Sequence, residues 1–194
     1  MEVTPCLNKI IESENNIYAP RILVQTKGGR SSDSQLLINT GLLPINTGIV
    51  FSEFNQNQYY SLAKALNINS VYKTFVFIGN QPSFWHQGVM NHTLGFDSLI
   101  SSLNFDMSDV FNMGLSDESF FKQSIEKIKT IPQPFYIQMI TLSSHFPFTI
   151  PNEKIKIRIP VNLPKEISSY LQSINYVDNV ITVAICYIMP SSGF

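Results

Sequence analysis

Two short apolar segments constrain the fold of this chain more than any other feature of its sequence. Residues 72–78 and 135–142 are rich in aromatic and β-branched residues, and they are apolar along most of their length rather than at alternate positions. Segments with an apolar residue every three to four positions separate and follow them, which is the helical period. The pattern predicts an α/β fold with a mostly parallel sheet and helices on both faces.

The remaining apolar pattern predicts one further strand and four helices. The strand is predicted over residues 19–25, and the helices are predicted from residue 31, over residues 57–67, over residues 117–129 and from Pro164 onward. Residues 79–93 are polar and aromatic, and they are predicted to form a long loop.

Three loops follow the three predicted strands. They are residues 28–34, 79–85 and 143–148. Ligands of parallel sheets bind beyond the carboxyl ends of the strands. We therefore expect these three loops to converge on one edge of the sheet.

Composition excludes several functional classes. The 194 residues suggest one domain, and a hydrophobic content of 44% is enough for a sizeable core. The 13 basic and 14 acidic side chains give a net charge of −1, which argues against a nucleic-acid partner and against a polybasic membrane-surface protein. Cys6 and Cys186 form neither a disulfide framework nor a zinc pattern.

Neither a targeting segment nor a membrane span is predicted. The first residues have no basic region followed by an apolar one, so no signal peptide is expected. The longest apolar stretch, residues 180–189, is too short to cross a bilayer.

Three side chains in the predicted loops are candidates for chemistry, each with a structural alternative. Ser31 begins a helix, where free backbone amides favour an anionic phosphoryl or sulfuryl group, although this motif alone favours an ordinary serine cap after a glycine turn. His145 is suited to hydrogen-bond a phosphate oxygen or donate a proton, or else it packs between Phe146 and Phe148. Trp85 either stacks on a substrate or anchors its loop.

Seven segments in order resemble the lipoteichoic acid synthases, which are phosphoglycerol transferases of the alkaline phosphatase/sulfatase superfamily. The segments are residues 2–9, 29–34, 84–85, 90–97, 115–121, 141–148 and 170–178. The resemblance implies an alkaline phosphatase-like fold, present here in incomplete form. It divides the chain into a partial catalytic domain, residues 1–181, and a divergent C-terminal tail, residues 182–194.

The resemblance also implies an activity, partners and a location. Members of this family are membrane-anchored and extracytoplasmic, and they move glycerol phosphate from phosphatidylglycerol to a glycolipid or polymer acceptor in the cell envelope. By alignment, Ser31 is the catalytic nucleophile and a ligand of a divalent metal, usually Mn²⁺. Trp85 and His145 align with residues that contact the glycerol phosphate, and Asn80 aligns with a further substrate contact.

Two departures from the family pattern leave activity open. Gln87 stands where the family has an arginine that binds phosphate, and an amide lacks the charged bidentate fork. The family's other metal ligands, a glutamate and an Asp-His pair, align outside this sequence, and Asp33 is the one carboxylate beside Ser31. The sequence therefore predicts a truncated fragment with an incomplete metal site, inactive alone.

Three hypotheses remain open at this point. The chain is part of a phosphoglycerol transferase, a non-catalytic remnant or binding module of the same fold, or a sulfatase or phosphodiesterase. Asp97, Asp117 and Asp178 are predicted to have structural or helix-capping roles, because none of them ends an apolar strand.

Overall fold

A computed structural model describes residues 1–13, 17–26, 30–68 and 71–188 of the chain. Its helices are α1 (Pro5–Glu12), α2 (Ser31–Thr40), α3 (Val50–Glu53), α4 (Leu62–Asn67), α5 (Gln87–Thr93), α6 (Asp117–Ile128) and α7 (Lys165–Ile188). Its strands are β1 (Lys73–Ile78), β2 (Ser98–Ile100), β3 (Val110–Phe111), β4 (Gly114–Leu115) and β5 (Phe135–Ile140).

The chain divides into two compact units. The sheet unit comprises Arg21–Asn104 and Ile131–Ile140, and it contains β1, β2 and β5. The helical unit comprises Met1–Pro20, Phe105–Thr130 and Thr141–Phe194, and it contains α1, α6, α7 and the small β3–β4 hairpin. No helix within the described ranges is both long enough and apolar enough to cross a membrane.

The sheet has the order β2-β1-β5, and both pairings are parallel. Val76 in the central strand lies opposite Leu99 on one side and Gln138 on the other. β1 is apolar on both faces because both are covered: Val76 and Phe77 have no exposed surface. The predicted α/β fold with a parallel sheet flanked by helices is confirmed.

The core of the sheet unit covers one face of β1. It joins Val76 and Ile78 to apolar side chains of the surrounding helices, namely Leu36, Val50, Phe51, Ala63, Met90 and Leu94, together with Phe96. Phe51, Ala63, Met90 and Leu94 are completely buried. Burial of these side chains orients α2, α3, α4 and α5 on the sheet.

Asp97 fixes the start of β2 against β1. Its carboxylate accepts a hydrogen bond from the backbone amide of Thr74 (2.8 Å), and its own amide donates to the Thr74 carbonyl oxygen (2.9 Å). Asn67, the last residue of α4, donates to the Gly95 carbonyl oxygen (2.8 Å) in the adjoining turn. The predicted structural role of Asp97 is confirmed.

In the helical unit, one carboxylate caps a helix that is distant in sequence. Pro5 opens α1, and Thr4 makes no side-chain capping bond. Asp178 of α7 instead accepts hydrogen bonds from the amides of Cys6 (2.9 Å) and Leu7 (2.8 Å). It therefore satisfies two amides that have no acceptor within α1, as predicted for a capping residue.

Four predicted elements differ from the structure, and α1, α3, β2, β3 and β4 have no counterpart among the predictions. Residues 19–25 do not form a strand; Ile22, Leu23 and Val24 are 76–83% exposed and pair with no strand in the described part of the chain. A strand needs a partner that local sequence does not reveal. The helix predicted over residues 57–67 begins only at Leu62. Ser61 is extended, and its hydroxyl oxygen accepts a hydrogen bond from the Lys64 amide, which makes Ser61 the N-cap.

The other two differences lie near the predicted site. Residues 79–93 are not one loop, since they contain a short 3₁₀ turn, Phe84–His86, followed by α5. β5 ends at Ile140 rather than at residue 142, because the amide of Leu142 donates to Asp117 Oδ1 instead of to a neighbouring strand. The predicted glycine turn at residues 27–29 lies outside the described residues.

Replacing Met90 in the core tests the packing of α5. Met90 has no exposed surface, so Met90→Ala should lower the free energy of unfolding by about 2–5 kcal/mol through lost burial and a residual cavity. Val89, which precedes it in the same helix and is 48% exposed, provides the control, and Val89→Ala should change stability by less than about 0.5 kcal/mol. Urea denaturation followed by circular dichroism measures both. Equal effects would contradict the assignment of Met90 to the core.

Removing the Asp178 carboxylate tests the capping of α1. Asp178→Ala leaves the amides of Cys6 and Leu7 without their acceptor, and it should cost about 1–3 kcal/mol. Hydrogen exchange at these two amides should accelerate more than exchange in α6. Glu166→Ala, an exposed carboxylate in the first turn of α7, is the matched control and should leave exchange in α1 unchanged.

Candidate functional site

Ser31 is the first residue of α2 and is exposed. Arg30 precedes it as the N-cap in an extended conformation and makes no side-chain capping bond; its guanidinium donates to the Gly48 carbonyl oxygen. As the first two amides of a helix, those of Ser31 and Ser32 have no acceptor within α2. The Ser31 hydroxyl therefore lies at the positive end of a ten-residue helix, a position that suits an approaching anion.

Asp33 is a buried carboxylate two residues after Ser31. It is only 2% exposed, and its Oδ1 has no hydrogen-bond partner among the described residues. A buried carboxylate without a partner is unfavourable unless a cation or a donor faces it. Asp33 lies in the first turn of α2, where the helix dipole stabilises negative charge.

Asn80 follows the carboxyl end of β1, as its position in the sequence indicated. It is 8% exposed, and its carbonyl oxygen accepts a hydrogen bond from the amide of Ser102 (3.0 Å). This bond fixes the backbone where the loop leaves the central strand. No hydrogen bond joins the Asn80 side chain to another residue that the structure describes.

Trp85 is held in an unusual backbone conformation at the surface. Trp85 (φ 52°) and His86 (φ 55°) both adopt left-handed angles, which cost energy in residues other than glycine. Trp85 is 42% exposed, and its indole meets Phe84 edge-on at 5.5 Å between ring centroids. This exposure shows that Trp85 does not fill a core gap, and its contact with a substrate stays a prediction.

Gln87 is turned into the protein. It is 6% exposed, and its Oε1 accepts a hydrogen bond from Asn91 Nδ2 (2.9 Å) one turn later in α5. The alignment of Gln87 with a phosphate-binding arginine of the family stays a prediction.

His145 belongs to the helical unit, in the loop that follows β5 in the chain. It is exposed, and its Nδ1 lies 2.8 Å from the carbonyl oxygen of Phe146. This contact favours the tautomer with the proton on Nδ1, which leaves Nε2 as the free ring nitrogen. His145 is thus not enclosed between Phe146 and Phe148, which was the structural alternative for this residue.

The backbone around His145 is fixed by turns within the loop. The His145 amide donates to the Leu142 carbonyl oxygen (3.0 Å), and the Phe148 amide donates to the His145 carbonyl oxygen (2.8 Å). Phe148 adopts a left-handed conformation (φ 62°), and its ring packs edge-on against Tyr170 of α7 at 5.1 Å. The loop is therefore an ordered structure rather than a free connection.

Asp117, the first residue of α6, holds the start of this loop. Its Oδ1 accepts hydrogen bonds from the amides of Leu142 (2.9 Å) and Ser143 (3.1 Å), and its own amide donates to Ser143 Oγ (2.9 Å). Burial raises the pKa of Asp117, although the Leu142 and Ser143 amides and the Ser143 side chain act in the opposite direction. The predicted structural role of Asp117 is confirmed, but its contact to the His145 loop was not foreseen.

The structure therefore places the predicted site residues in two units. Ser31, Asn80 and Trp85 belong to the sheet unit, and His145 belongs to the helical unit. The described residues contain no group of three or more histidine, cysteine, aspartate or glutamate side chains able to hold a metal ion. Ser31 and Asp33 are two potential oxygen ligands, fewer than the four to eight that a divalent cation takes.

A separate groove of about 540 Å³ lies along α6 and α7 in the helical unit. Phe121, Tyr176 and Val180 contribute apolar surface to it, and Lys154 lines its polar side. The Lys154 ammonium is 3.0 Å from an Asp109 oxygen and 3.1 Å from a Glu118 oxygen. The predicted site residues do not line this groove.

Similarity to known proteins extends over nearly the whole chain. Residues 2–188 match the family model described as Sulfatase. Lipoteichoic acid synthase 1 of Bacillus subtilis is 32% identical over 183 residues, which are 93% of this chain and 29% of that protein. The chain thus spans less than a third of the length of this relative.

Two solved structures share the fold. The lipoteichoic acid synthase LtaP from Listeria monocytogenes matches with a TM-score of 0.88 and 26% identity, over 98% of this chain and 47% of that one. The Streptococcus pyogenes phosphoglycerol transferase GacH, in complex with sn-glycerol-1-phosphate, matches with a TM-score of 0.69 and 15% identity, over 98% and 52%. The chain belongs to the Sulfatase family, in which it is similar to lipoteichoic acid synthases.

Proposed function

We propose that the chain carries the part of a phosphoglycerol transferase domain that holds the nucleophile and contacts the glycerol phosphate. The observation that carries this proposal is the exposed Ser31 hydroxyl at the positive end of α2. The names of the similar proteins, lipoteichoic acid synthases and a phosphoglycerol transferase, support the reaction class. The proposed donor is a phosphatidylglycerol-type lipid, and the proposed acceptor is a glycolipid or polymer hydroxyl of the cell envelope, outside the cytoplasm.

The proposed reaction has two balanced phosphoryl-transfer steps. In the first, Ser31 Oγ attacks phosphorus, the bond from phosphorus to the diacylglycerol oxygen breaks, and the proton lost by Ser31 ends on that oxygen. The products are diacylglycerol and a glycerophosphoryl ester of Ser31. In the second step, the acceptor hydroxyl attacks the same phosphorus, the bond to Ser31 Oγ breaks, and the serine hydroxyl is restored.

The other predicted residues have binding roles in this proposal. The amides of Ser31 and Ser32 face the negative charge that develops on the phosphoryl oxygens. The Trp85 indole packs against the glycerol moiety, and the side-chain amide of Asn80 hydrogen-bonds to a substrate oxygen. In the tautomer protonated at Nδ1, His145 Nε2 accepts a hydrogen bond, and a hydroxyl of the glycerol moiety supplies the donor.

A divalent metal such as Mn²⁺, with Ser31 as one ligand, stays a prediction. Asp33 Oδ1 is an orphaned buried oxygen close in sequence to Ser31, but the described residues do not complete a coordination shell. No step of the reaction above is therefore routed through a metal. The division into a partial catalytic domain, residues 1–181, and a divergent tail likewise stays a proposal; α7 continues from Lys165 to Ile188 across that boundary.

A second candidate function is a non-catalytic module that binds glycerol phosphate without transferring it. The observation that favours it is the small number of metal-ligating side chains near Ser31 within the described ranges. Such a module retains the exposed Trp85 and the Asn80 side chain, since neither contact requires a metal.

The covalent intermediate distinguishes these two candidates. Incubation of the folded chain with Mn²⁺ and a phosphatidylglycerol analogue should attach a glycerophosphoryl group to Ser31, detectable by mass spectrometry of the tryptic peptide. Ser31→Ala should abolish the adduct because the attacking oxygen is removed. Ser34→Ala, which removes a hydroxyl in the same helical turn, should leave the adduct unchanged. An unmodified Ser31 in a folded protein would exclude transfer by this chain and leave the binding module.

The single tryptophan provides a direct measure of binding. Because Trp85 is the chain's one tryptophan and is 42% exposed, its fluorescence should change on titration with sn-glycerol-1-phosphate. Asn80→Ala should weaken this binding about two- to tenfold, the usual effect of losing one neutral hydrogen bond. Inorganic sulfate and inorganic phosphate are the control titrants. A response to sulfate stronger than that to glycerol phosphate would instead favour the sulfatase hypothesis.

A further inference from the structure

The contact between Asp117 and Ser143 is reciprocal. The Asp117 amide donates to Ser143 Oγ, and the Ser143 amide donates to Asp117 Oδ1. Asp117 is 1% exposed and Ser143 is also 1% exposed, so solvent does not compete for these bonds. Two hydrogen bonds in opposite directions fix both the distance and the orientation of the segments they join. We call this pair, together with the bond from Leu142 N to Asp117 Oδ1, the Asp117 clasp.

The clasp is connected to His145 through the backbone. Leu142 donates to Asp117 through its amide and accepts from the His145 amide through its carbonyl group. Leu142 is thereby bonded to α6 through its amide and to His145 through its carbonyl group. Asn112 adds a second constraint, since its Nδ2 donates to the Ser143 carbonyl oxygen (3.2 Å).

The amino terminus of α6 is a rigid support for the clasp. The Glu118 amide donates to the Tyr176 hydroxyl (3.1 Å), and the Ser119 amide donates to Ser116 Oγ (3.1 Å). With Asp117 bonded to Ser143, the first three amides of the helix each have a hydroxyl acceptor. An N-terminus satisfied in this way does not fray, so the carboxylate of Asp117 is held in place.

We propose that Asp117 is a positioning residue for His145, acting through its hydrogen bonds to the Leu142 and Ser143 amides. The proposal rests on the proposed function, because it concerns the orientation of the histidine assigned to glycerol phosphate. Asp117 touches no substrate in this proposal. It determines where the His145 loop begins, and therefore the direction in which Nε2 is presented.

Charge contributes less to the clasp than acceptor geometry. Both amides bind the same oxygen, Oδ1, whereas Oδ2 is buried and has no partner among the residues that the structure describes. The charged groups near this end of α6 are Glu118, Asp109 and Lys154, and Lys154 pairs with both carboxylates; Tyr176 lies beside them. An asparagine keeps the accepting oxygen, so Asp117→Asn should preserve the clasp. Asp117→Ala removes both bonds to Oδ1 and leaves only the bond from the backbone amide of residue 117 to Ser143 Oγ.

Histidine nitrogen chemical shifts in the ligand-free chain test the proposal directly. In the wild type, with His145 assigned from His145→Gln, the shifts should report the Nδ1-protonated tautomer that the bond to Phe146 selects. Asp117→Ala should shift them towards the tautomer mixture of free histidine, and Asp117→Asn should restore the wild-type pattern. Ile125→Ala, in the buried face of the same helix, is the control for lost stability and should leave the His145 signals unchanged.

Two results would overturn the proposal. One is a His145 spectrum in folded Asp117→Ala that matches the wild type, and the other is an Ile125→Ala variant that shifts the signals equally. Either result would make Asp117 a purely structural residue.

A ligand titration separates the positioning role from the proposed function. If wild-type chain binds sn-glycerol-1-phosphate, Asp117→Ala should bind it about tenfold more weakly, and Asp117→Asn should bind it within about twofold of wild type. Equal binding by Asp117→Ala would overturn the positioning role. Absence of binding by wild type would overturn the proposed function, and the ligand-free spectra would then decide the positioning role alone.

Discussion

The parallel pairing of β1 with a strand on each side is the constraint on which the sheet unit depends. β1 is completely buried at Val76 and Phe77, and this burial requires β2 and β5 at its edges and helices over its face. Since all three strands run in the same direction, their carboxyl ends share one edge of the sheet. Asn80 lies just after β1 at that edge. Its carbonyl oxygen accepts a hydrogen bond from the Ser102 amide, which fixes the backbone of the loop that follows β1.

Local sequence was sufficient where the pattern itself determines the element. β1 and β5 were predicted because uninterrupted apolar runs are stable only as covered strands, and α6 was predicted from Ser116 followed by a helical period. Residues 19–25 have the same strand-like composition, yet they are exposed, because pairing is a property of two segments. α5 was missed because Gly88 and the polar residues around it concealed the buried pair Met90 and Leu94.

The candidate site was predictable in identity but not in geometry. The motif order identified Ser31, Trp85 and His145. The left-handed backbone at Trp85 could not be predicted, because tryptophan does not favour that conformation. Asp117 shows the same limit for side chains. A structural or helix-capping role was predicted because Asp117 does not end an apolar strand, but the two amides that donate to it lie 25 and 26 residues away along the chain.

The way in which the sheet unit can bind an anion follows from where its polar groups are directed. Gln87 is paired with Asn91 inside α5 and carries no charge. The Arg30 guanidinium, directly before Ser31 in the chain, donates to the Gly48 carbonyl oxygen and keeps its positive charge. That charge and the amides at the start of α2 both favour an anion, but neither distinguishes glycerol phosphate from other anions. In the proposed function, recognition of glycerol phosphate therefore depends on contacts to the glycerol moiety, which gives the exposed Trp85 side chain a larger share of the selectivity.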